Sequence, residues 1–312
     1  MEFNSVAILL TEDCNAHCKM CCDSRGLVRG KTLTVEELDV VLKNIKDCKK
    51  INDVGITGGE PLLYPDLIDR IIEYDYGRDV HISIKTNGFW GKKYNHAKEL
   101  IEKYKKNLSY ISLSYDEFHM EFIDIDCIKN IIMIAKDYNI QTDVVGCFLK
   151  SSVLPGDILN MLDESAYYTK FHYQPVISTG SGSLFPPEEY IKLLDLNKDT
   201  VRCVATTAPV LLINPRMDVY PCCSQVIENT ILEVGNLGEL SLNEILVNIK
   251  QNYVLNEIFT EGFDSFKGFL DEAEIQYPRK LASPCEFCEF LFSDDWFLKE
   301  LNEKGYYENL HK

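Results

Sequence analysis

Three cysteines near the start of the chain are the residues whose spacing most clearly indicates chemistry. Cys14 and Cys18 have three residues between them, and Cys18 and Cys21 have two. A loop of this length can place three thiolates around one face of an iron–sulfur cube. A 4Fe–4S cluster usually takes four cysteine ligands, so one iron would stay open to another molecule, as catalytic metal centres require. A structural zinc site and a cluster of reactive thiols are the alternatives, although zinc ligands more often come as paired C-x2–4-C motifs.

A second set of four cysteines lies in the last third of the chain. Cys203 and Cys222 have eighteen residues between them, whereas Cys285 and Cys288 have two. Four thiols in two pairs are a common ligand set for zinc, so a zinc site and an iron–sulfur cluster are both compatible with this pattern. The pattern therefore predicts a second metal centre without fixing its metal.

Composition limits the classes of function. Apolar residues make up 46% of the 312 positions and charged residues 26%, which is typical of a globular protein. The net charge of −17 argues against a nucleic-acid partner and is compatible with a cationic peptide or a small molecule. The apolar run Val6 to Leu10 is too short for a signal peptide or a membrane span. We therefore expect a cytoplasmic protein whose twelve cysteines bind metal rather than form disulfides.

Short apolar runs alternate with segments of helical periodicity, which predicts alternating strands and helices. Thr34 with Glu37, and Ser241 with Glu244, form the capping-box pattern of helix starts. Repeated strand–helix units imply a parallel sheet with right-handed crossovers, and six units are fewer than the eight of a full barrel. The predicted fold class is α/β, a partial (β/α)6 barrel. Its strands are expected at Ser5–Leu10, Asp53–Thr57, Val80–Lys85, Leu108–Ser114, Ile140–Phe148 and Tyr168–Ile177.

Polar and glycine-rich segments follow several of these strands. In βα barrels the site is built by the loops at the carboxyl ends of the strands. Gly, Asn and Asp are also the usual turn formers, so each segment could separately be only a turn. Their shared position beside the cysteine loop instead predicts one site, formed by that loop, Gly58-Gly59-Glu60-Pro61, Thr86-Asn87-Gly88 and Ser114-Tyr115-Asp116.

The C-x3-C-x2-C loop, followed by Gly-Gly-Glu-Pro at the end of the second strand, resembles the radical S-adenosylmethionine (radical SAM) enzymes over residues 5 to 180. The resemblance implies that Cys14, Cys18 and Cys21 hold a 4Fe–4S cluster whose free iron is chelated by SAM. It further implies reductive cleavage of SAM to a 5′-deoxyadenosyl radical, with a one-electron reductant such as flavodoxin or ferredoxin. The cofactor contacts implied are Gly58, Gly59 and Glu60 for the SAM amino group, and Asn87, Ser114 and Asp116 for the ribose or carboxylate.

The second half resembles the twitch domain, which follows many radical SAM barrels and binds one auxiliary 4Fe–4S cluster, and the longer SPASM domain, which binds two. No cysteine follows Cys288, so the resemblance implies one auxiliary cluster, held by Cys203, Cys222, Cys285 and Cys288. We expect a barrel domain over residues 1–185, a connecting helix within 186–202 and a small iron–sulfur domain with a C-terminal tail over 203–312.

Five cysteines remain outside these sets. Cys48 and Cys127 lie in helical patterns and are expected in the core. Cys22 is expected to pack beside the first cluster, and Cys147 to point into the barrel. Cys223 follows a predicted ligand and is either a packed thiol, a ligand in place of Cys222, or a hydrogen-atom donor to a substrate radical.

Three hypotheses for the function follow. The first is a radical SAM maturase of ribosomally made peptides. The Cys222-Cys223 pair and the Ser-x-Asp-x-Phe-His stretch resemble its peptide epimerases, in which a thiol such as Cys223 returns hydrogen to Cα. The second is a twitch-type dehydrogenase of a small molecule. The third is an iron–sulfur electron carrier without SAM chemistry.

Overall fold

A nine-stranded sheet organises the computed structural model, which describes residues 2–22 and 30–303. Its order is β10-β9-β8-β1-β2-β3-β4-β5-β6, and a separate two-stranded sheet pairs β7 with β11. The strands are β1 (Ser5–Leu9), β2 (Asp53–Thr57), β3 (His81–Thr86), β4 (Leu108–Ser114), β5 (Gln141–Phe148), β6 (Lys170–Pro175), β7 (Leu194–Asp195), β8 (Val210–Ile213), β9 (Asp218–Tyr220), β10 (Gly235–Asn236) and β11 (Lys280–Leu281).

Helices cover the outer face of the parallel strands, and five further α-helices lie after residue 240 in the described part of the chain. In α1 the side chains of Leu38, Val41, Leu42 and Ile45 are fully buried, and each such burial stabilises the fold by about 1.5–3 kcal/mol. The α-helices are α1 (Val35–Asp47), α2 (Pro65–Ile72), α3 (Tyr94–Tyr104), α4 (Glu117–Met120), α5 (Ile125–Asp137), α6 (Pro155–Leu162), α7 (Leu242–Gln251), α8 (Tyr253–Thr260), α9 (Asp264–Glu272), α10 (Pro284–Phe292) and α11 (Trp296–Glu303).

The predicted (β/α)6 architecture is confirmed. Strands β1 to β6 pair in sequence order, all parallel, and both predicted capping boxes are formed at the starts of α1 and α7. The predicted bounds of β2 and β4 agree with the observed ones, and the other strand ends differ by at most two residues. They differ because the ladder hydrogen bonds rather than the apolar run decide where a strand stops. Among the described residues, no helix is long and apolar enough to cross a lipid bilayer.

The sheet continues into the second half of the chain, which the sequence did not indicate. Strand β8 pairs in parallel with β1, and β9 returns antiparallel to β8. The turn between them holds Met217 at a φ of +65°, and Asn214 Oδ1 accepts hydrogen bonds from the N–H groups of Arg216 and Asp218 at 2.9 and 3.0 Å. A run of four apolar residues at 210–213 is too short for periodicity to tell a strand from a helix turn.

The prediction of a connecting helix within residues 186–202 is wrong. The segment contains a single 3₁₀ turn (Pro187–Glu189) and then β7, which pairs antiparallel with β11. Pro187 disfavours helical backbone at the residue before it, and Pro186 is extended, with ψ at 141°. The buried Tyr190 then anchors the chain, because its hydroxyl donates to the carbonyl of Gly182.

Candidate active site

A cavity of about 520 Å³ opens at the carboxyl ends of the barrel strands. The cysteine loop (residues 11–22) forms one side of it, with Cys14, Cys18 and Cys21 in the wall. The structure thus brings the predicted SAM-site residues to one place, with the exception of Glu60. The predicted cofactor-contacting residues that line the cavity are Gly58, Gly59, Asn87, Ser114 and Asp116.

The two glycines after β2 pack directly against the backbone of the cysteine loop. Gly59 N donates to the Thr11 carbonyl at 2.7 Å, and Gly58 has a φ of +151°, which favours glycine. A Cβ on Gly58 would lie 2.5 Å from the Thr11 carbonyl oxygen, and one on Gly59 would lie 2.2 Å from that of Asp13. Both glycines are therefore required by the cysteine loop itself, independently of any ligand in the cavity.

Glu60 is fully buried and does not line the cavity. Its carboxylate accepts hydrogen bonds from the Asn87 N–H at 2.7 Å, the Leu62 N–H at 3.0 Å and the Thr86 hydroxyl at 2.9 Å. Burial nevertheless raises the pKa of Glu60 to about 7, because desolvation outweighs these donors. Glu60 thus joins the ends of β2 and β3 and positions Asn87, whereas the sequence predicted a direct cofactor contact.

Asn87 in turn fixes the cysteine loop. Its Nδ2 donates to Asn15 Oδ1 at 2.8 Å and lies 3.9 Å from Cys14 Sγ, while its Oδ1 accepts from the Phe89 N–H at 3.1 Å. The side chain therefore has a single orientation, with the amide nitrogen directed at the loop. Asn87 connects the end of β3 to a predicted cluster ligand.

Asp116 is the N-cap of α4, and both of its carboxylate oxygens are engaged by the protein. Oδ1 accepts from the Phe118 N–H at 3.0 Å and lies 2.8 Å from His119 Nδ1, and Oδ2 accepts from the Cys147 N–H at 2.8 Å. Asp116 thereby joins the ends of β4 and β5 and orients the buried His119 in the cavity wall. Ser114, the last residue of β4, lines the cavity beside it.

The thiols of the cysteine loop suit a bound iron–sulfur cluster. Burial raises the pKa of Cys14 to about 11 and also raises the pKa of Cys18, with neighbouring thiols adding to both shifts. Bound iron reverses this effect, since a metal ion stabilises the thiolate form. The Ala16 N–H donates to Cys14 Sγ at 3.4 Å, and such hydrogen bonds to sulfur tune the potential of iron–sulfur clusters. Three thiols on an open cavity therefore fit a cluster with one iron available to SAM.

The second cysteine set forms another, smaller site. Cys203, Cys222, Cys285 and Cys288 line one cavity whose other walls are mostly apolar, including Ile258, Phe259 and Phe263. The Ser224 N–H donates to Cys222 Sγ at 3.3 Å, and the Ser224 hydroxyl lies 3.5 Å from Cys285 Sγ. Burial raises the pKa of Cys203 to about 11 and that of Cys288 well above its usual value. Four thiols on one small cavity with few other polar groups suit a metal centre.

Neither set of cysteines is arranged so that three of its thiols could bind one metal ion directly. Within residues 2–22 and 30–303, no three His, Cys, Asp or Glu side chains converge closely enough to hold one metal ion. A zinc ion requires its sulfur ligands at about 2.3 Å from the metal. In a 4Fe–4S cubane each thiolate binds a different iron atom, so its ligands do not have to converge on a single point.

The structure separates the adjacent cysteines of the second half. Cys222 lines the small cavity with the other three thiols, whereas Cys223 does not and is exposed. Cys22 and Cys147 both line the large cavity, and Gln174 Nε2 donates to Cys147 Sγ at 3.4 Å. Cys48 and Cys127 are buried in the core, as predicted.

Contacts between the two halves at the cysteine loop were missed from the sequence. Arg216, in the β8–β9 turn, forms an ion pair with the buried Glu12 at 2.7 Å. The Ser181 N–H donates to the Cys21 carbonyl at 2.9 Å, and a Cβ on Gly180 would lie 2.1 Å from the Cys22 carbonyl oxygen. No local pattern could have indicated these pairs, because their members lie about 160 to 200 positions apart in the chain.

Comparison with protein-family models identifies the family. The model described as the radical SAM superfamily matches residues 8–166, which include the three-cysteine loop and strands β2 to β5. The chain belongs to the radical SAM superfamily. Among curated relatives, this radical SAM protein is 26% identical over 99% of its length to a Bacillus subtilis (strain 168) protein named "Putative peptide biosynthesis protein YydG", of which 99% is covered.

Solved structures support the same fold for this radical SAM protein. The structure titled "Native anSMEcpe with bound AdoMet and Kp18Cys peptide" matches with a TM-score of 0.58 and 15% identity, covering 96% of this chain and 98% of that one. The crystal structure of Streptococcus suis SuiB bound to the precursor peptide SuiA matches with a TM-score of 0.58 and 15% identity, covering 78% and 64%. At these identities the likeness concerns the fold alone.

Proposed function

We propose that this protein is a radical SAM enzyme that epimerises a Cα centre in a ribosomally made peptide. The observation that carries the proposal is the position of Cys223, a thiol that is exposed and outside the four-thiol cavity although its neighbour Cys222 is part of it. The full-length likeness to YydG, named as a peptide biosynthesis protein, supports a peptide substrate. The fold is also shared with two proteins whose structures contain bound peptides.

In this proposal each cysteine set has one task. Cys14, Cys18 and Cys21 hold a 4Fe–4S cluster with one iron open, and Cys203, Cys222, Cys285 and Cys288 hold an auxiliary cluster. When bound, the first cluster and SAM supply the 5′-deoxyadenosyl radical that removes a hydrogen atom from the peptide. The backbone of Gly58 and Gly59, with Asn87 and Ser114, lines the SAM side of the cavity, and His119 is available there for proton transfer.

Cys223 completes the reaction by returning hydrogen to the opposite face of the Cα radical. The S–H bond of Cys223 breaks and a Cα–H bond forms, which leaves a thiyl radical on the protein. One electron and one proton are then needed to restore the thiol, and a one-electron reductant such as flavodoxin or ferredoxin supplies the electron. A thiol suits this role because its S–H bond is weak, and its exposure gives the peptide access.

The decisive experiment uses anaerobically reconstituted protein, SAM, a reductant and a synthetic peptide, chosen from any short open reading frame that lies beside the gene. In deuterated water the proposal expects a single deuterium at one Cα and inversion to the D-configuration. Cys223→Ala should form 5′-deoxyadenosine and abstract hydrogen without completing the inversion. The matched control is Cys147→Ala, which removes a thiol that lines the large cavity and should still epimerise.

A small-molecule dehydrogenase is the second candidate, since a cavity of about 520 Å³ is within the usual size of a ligand site. A two-electron-oxidised product whose yield is unchanged in Cys223→Ala would favour it over epimerisation. A protein that forms no 5′-deoxyadenosine from SAM under reducing conditions would instead be an electron carrier, and both enzyme proposals would then be wrong.

A further inference from the structure

Lys85 places a positive charge inside the large cavity. It is the penultimate residue of β3, lies in register with Ser112 of β4 and lines the cavity with an exposed side chain. Within residues 2–22 and 30–303 its ammonium group has neither an ion pair nor a hydrogen bond. Lys19, the other lysine of the cavity wall, is paired with Glu121 at 2.6 Å. Lys85 is therefore a cation whose partner is not among the described side chains.

The carboxylates in the cavity wall are committed elsewhere. Both oxygens of Asp116 accept hydrogen bonds from the protein, and Glu12 forms its ion pair with Arg216. An ammonium group is strongly hydrated, so a substrate that fills this cavity removes water from Lys85 at a cost unless it provides an acceptor oxygen. Carbonyl and carboxylate oxygens are the acceptors that a peptide can offer.

Lys85 lines the same cavity as the thiols of Cys22 and Cys147, which come from the cysteine loop and β5. A group bound by Lys85 would therefore be held beside the cluster loop. This is the part of the cavity where a peptide must hold its Cα if one face of that carbon is to meet the SAM side.

We propose that Lys85 anchors the substrate by donating hydrogen bonds to a carbonyl or carboxylate oxygen of the peptide, close to the residue that is epimerised. The inference rests on the proposed function, and it adds the group that sets the position of the substrate in the cavity. The carboxylate of SAM offers the same chemistry, so the experiment must separate the two sources. Lys85 is a substrate-binding residue, because it holds the peptide and takes no part in the hydrogen transfer.

The test compares cluster-reconstituted wild type with Lys85→Met, Lys85→Gln and Lys85→Arg, using the same synthetic peptide. A hydrogen bond to a charged group contributes about 1.5–3 kcal/mol, so Lys85→Met and Lys85→Gln should raise the peptide KM by about 10-fold or more. Lys85→Arg should recover much of this loss. Lys43→Met is the control, and its KM should stay within about twofold because Lys43 lies outside the cavity and is ion-paired with Asp47 at the surface.

Two further readouts show whether the oxygen that Lys85 binds belongs to the peptide or to SAM. SAM cleavage without peptide, and the change in the cluster's electron paramagnetic resonance signal on adding SAM, should be the same in Lys85→Met as in wild type. A loss of either would show that the oxygen belongs to SAM and would overturn the inference, as would an unchanged peptide KM, while epimerisation itself would still stand. A wild-type enzyme that cleaves SAM but alters no peptide would overturn the proposed function and this inference together.

Discussion

Thr179 and Glu289 join the barrel to the helix that carries Cys285 and Cys288, because Thr179 Oγ1 donates to Glu289 Oε1 at 2.9 Å. Asn229 Nδ2 contacts the same two side chains at 3.1 and 2.9 Å. Two residues further along the chain, the Ser181 N–H donates to the Cys21 carbonyl. One short segment after β6 therefore contacts both the loop of the first cysteine set and the helix of the second.

Replacing Thr179 with valine tests this connection. Thr179→Val keeps the shape of the side chain and removes the hydroxyl, so a buried donor to Glu289 is lost. We expect the free energy of unfolding to fall by about 1–2 kcal/mol. Chemical denaturation would measure it, with Thr169→Val as the control, since the Thr169 hydroxyl makes only a 3.3 Å contact at the surface. Equal stabilities for the two variants would contradict the prediction.

Substitution of Gly59 by alanine should displace the cysteine loop. The added Cβ would lie 2.2 Å from the Asp13 carbonyl oxygen, and a backbone atom cannot rotate away as a side chain can. We expect Gly59→Ala to lower stability by about 1–3 kcal/mol, as overpacking does, and to reduce the iron bound per chain. Gly156→Ala is the control, because a Cβ there would meet nothing within 4 Å. A Gly59→Ala protein with full iron content and normal melting temperature would show that the loop is not constrained in this way.

The titration of Glu60 should lower the free energy of unfolding as the pH rises. Its pKa is raised from 4.5 to about 7 in the folded protein, so between these values the folded state binds a proton that the unfolded state has lost. Stability linked to Glu60 is therefore fully present below about pH 4.5 and is lost as the pH rises through about 7, with a total change of about 1–3 kcal/mol.

The variant Glu60→Gln removes this titration. Relative to wild type its melting temperature should improve steadily between pH 5 and pH 8, even if the loss of a hydrogen-bond acceptor for Thr86 lowers it at every pH. Differential scanning fluorimetry at closely spaced pH values measures the difference. A difference that is constant across this range would show that Glu60 remains ionised when buried.

Metal analysis of cysteine variants should distinguish the two cysteine sets. With two 4Fe–4S clusters the reconstituted protein should bind about eight iron atoms, and a Cys222→Ala, Cys285→Ala double variant about four. Cys223→Ala is the matched control and should retain all the iron, because Cys223 lies outside the four-thiol cavity. One zinc and four iron atoms per chain in the wild type would assign the second set to zinc instead.

The local patterns of the sequence determined the barrel and the cysteine loop. Alternating apolar runs and helical periodicity predicted the six parallel strands, and the capping boxes at Thr34 and Ser241 predicted two helix starts. These features could be read because each depends on residues a few positions apart, whose geometry the backbone fixes directly. The same holds for Cys14, Cys18 and Cys21, whose close spacing confines three thiols to one loop.

Only the tertiary structure decided what surrounds these elements. It showed that Glu60 faces inward to the ends of β2 and β3, that the glycines are required by the cysteine loop, and that Cys222 and Cys223 face different surroundings although they are neighbours in sequence. It also placed β8 beside β1, about 200 residues away in the chain. Such contacts depend on which surfaces pack together once all the strands and helices have formed, and short-range residue patterns carry no information about that choice.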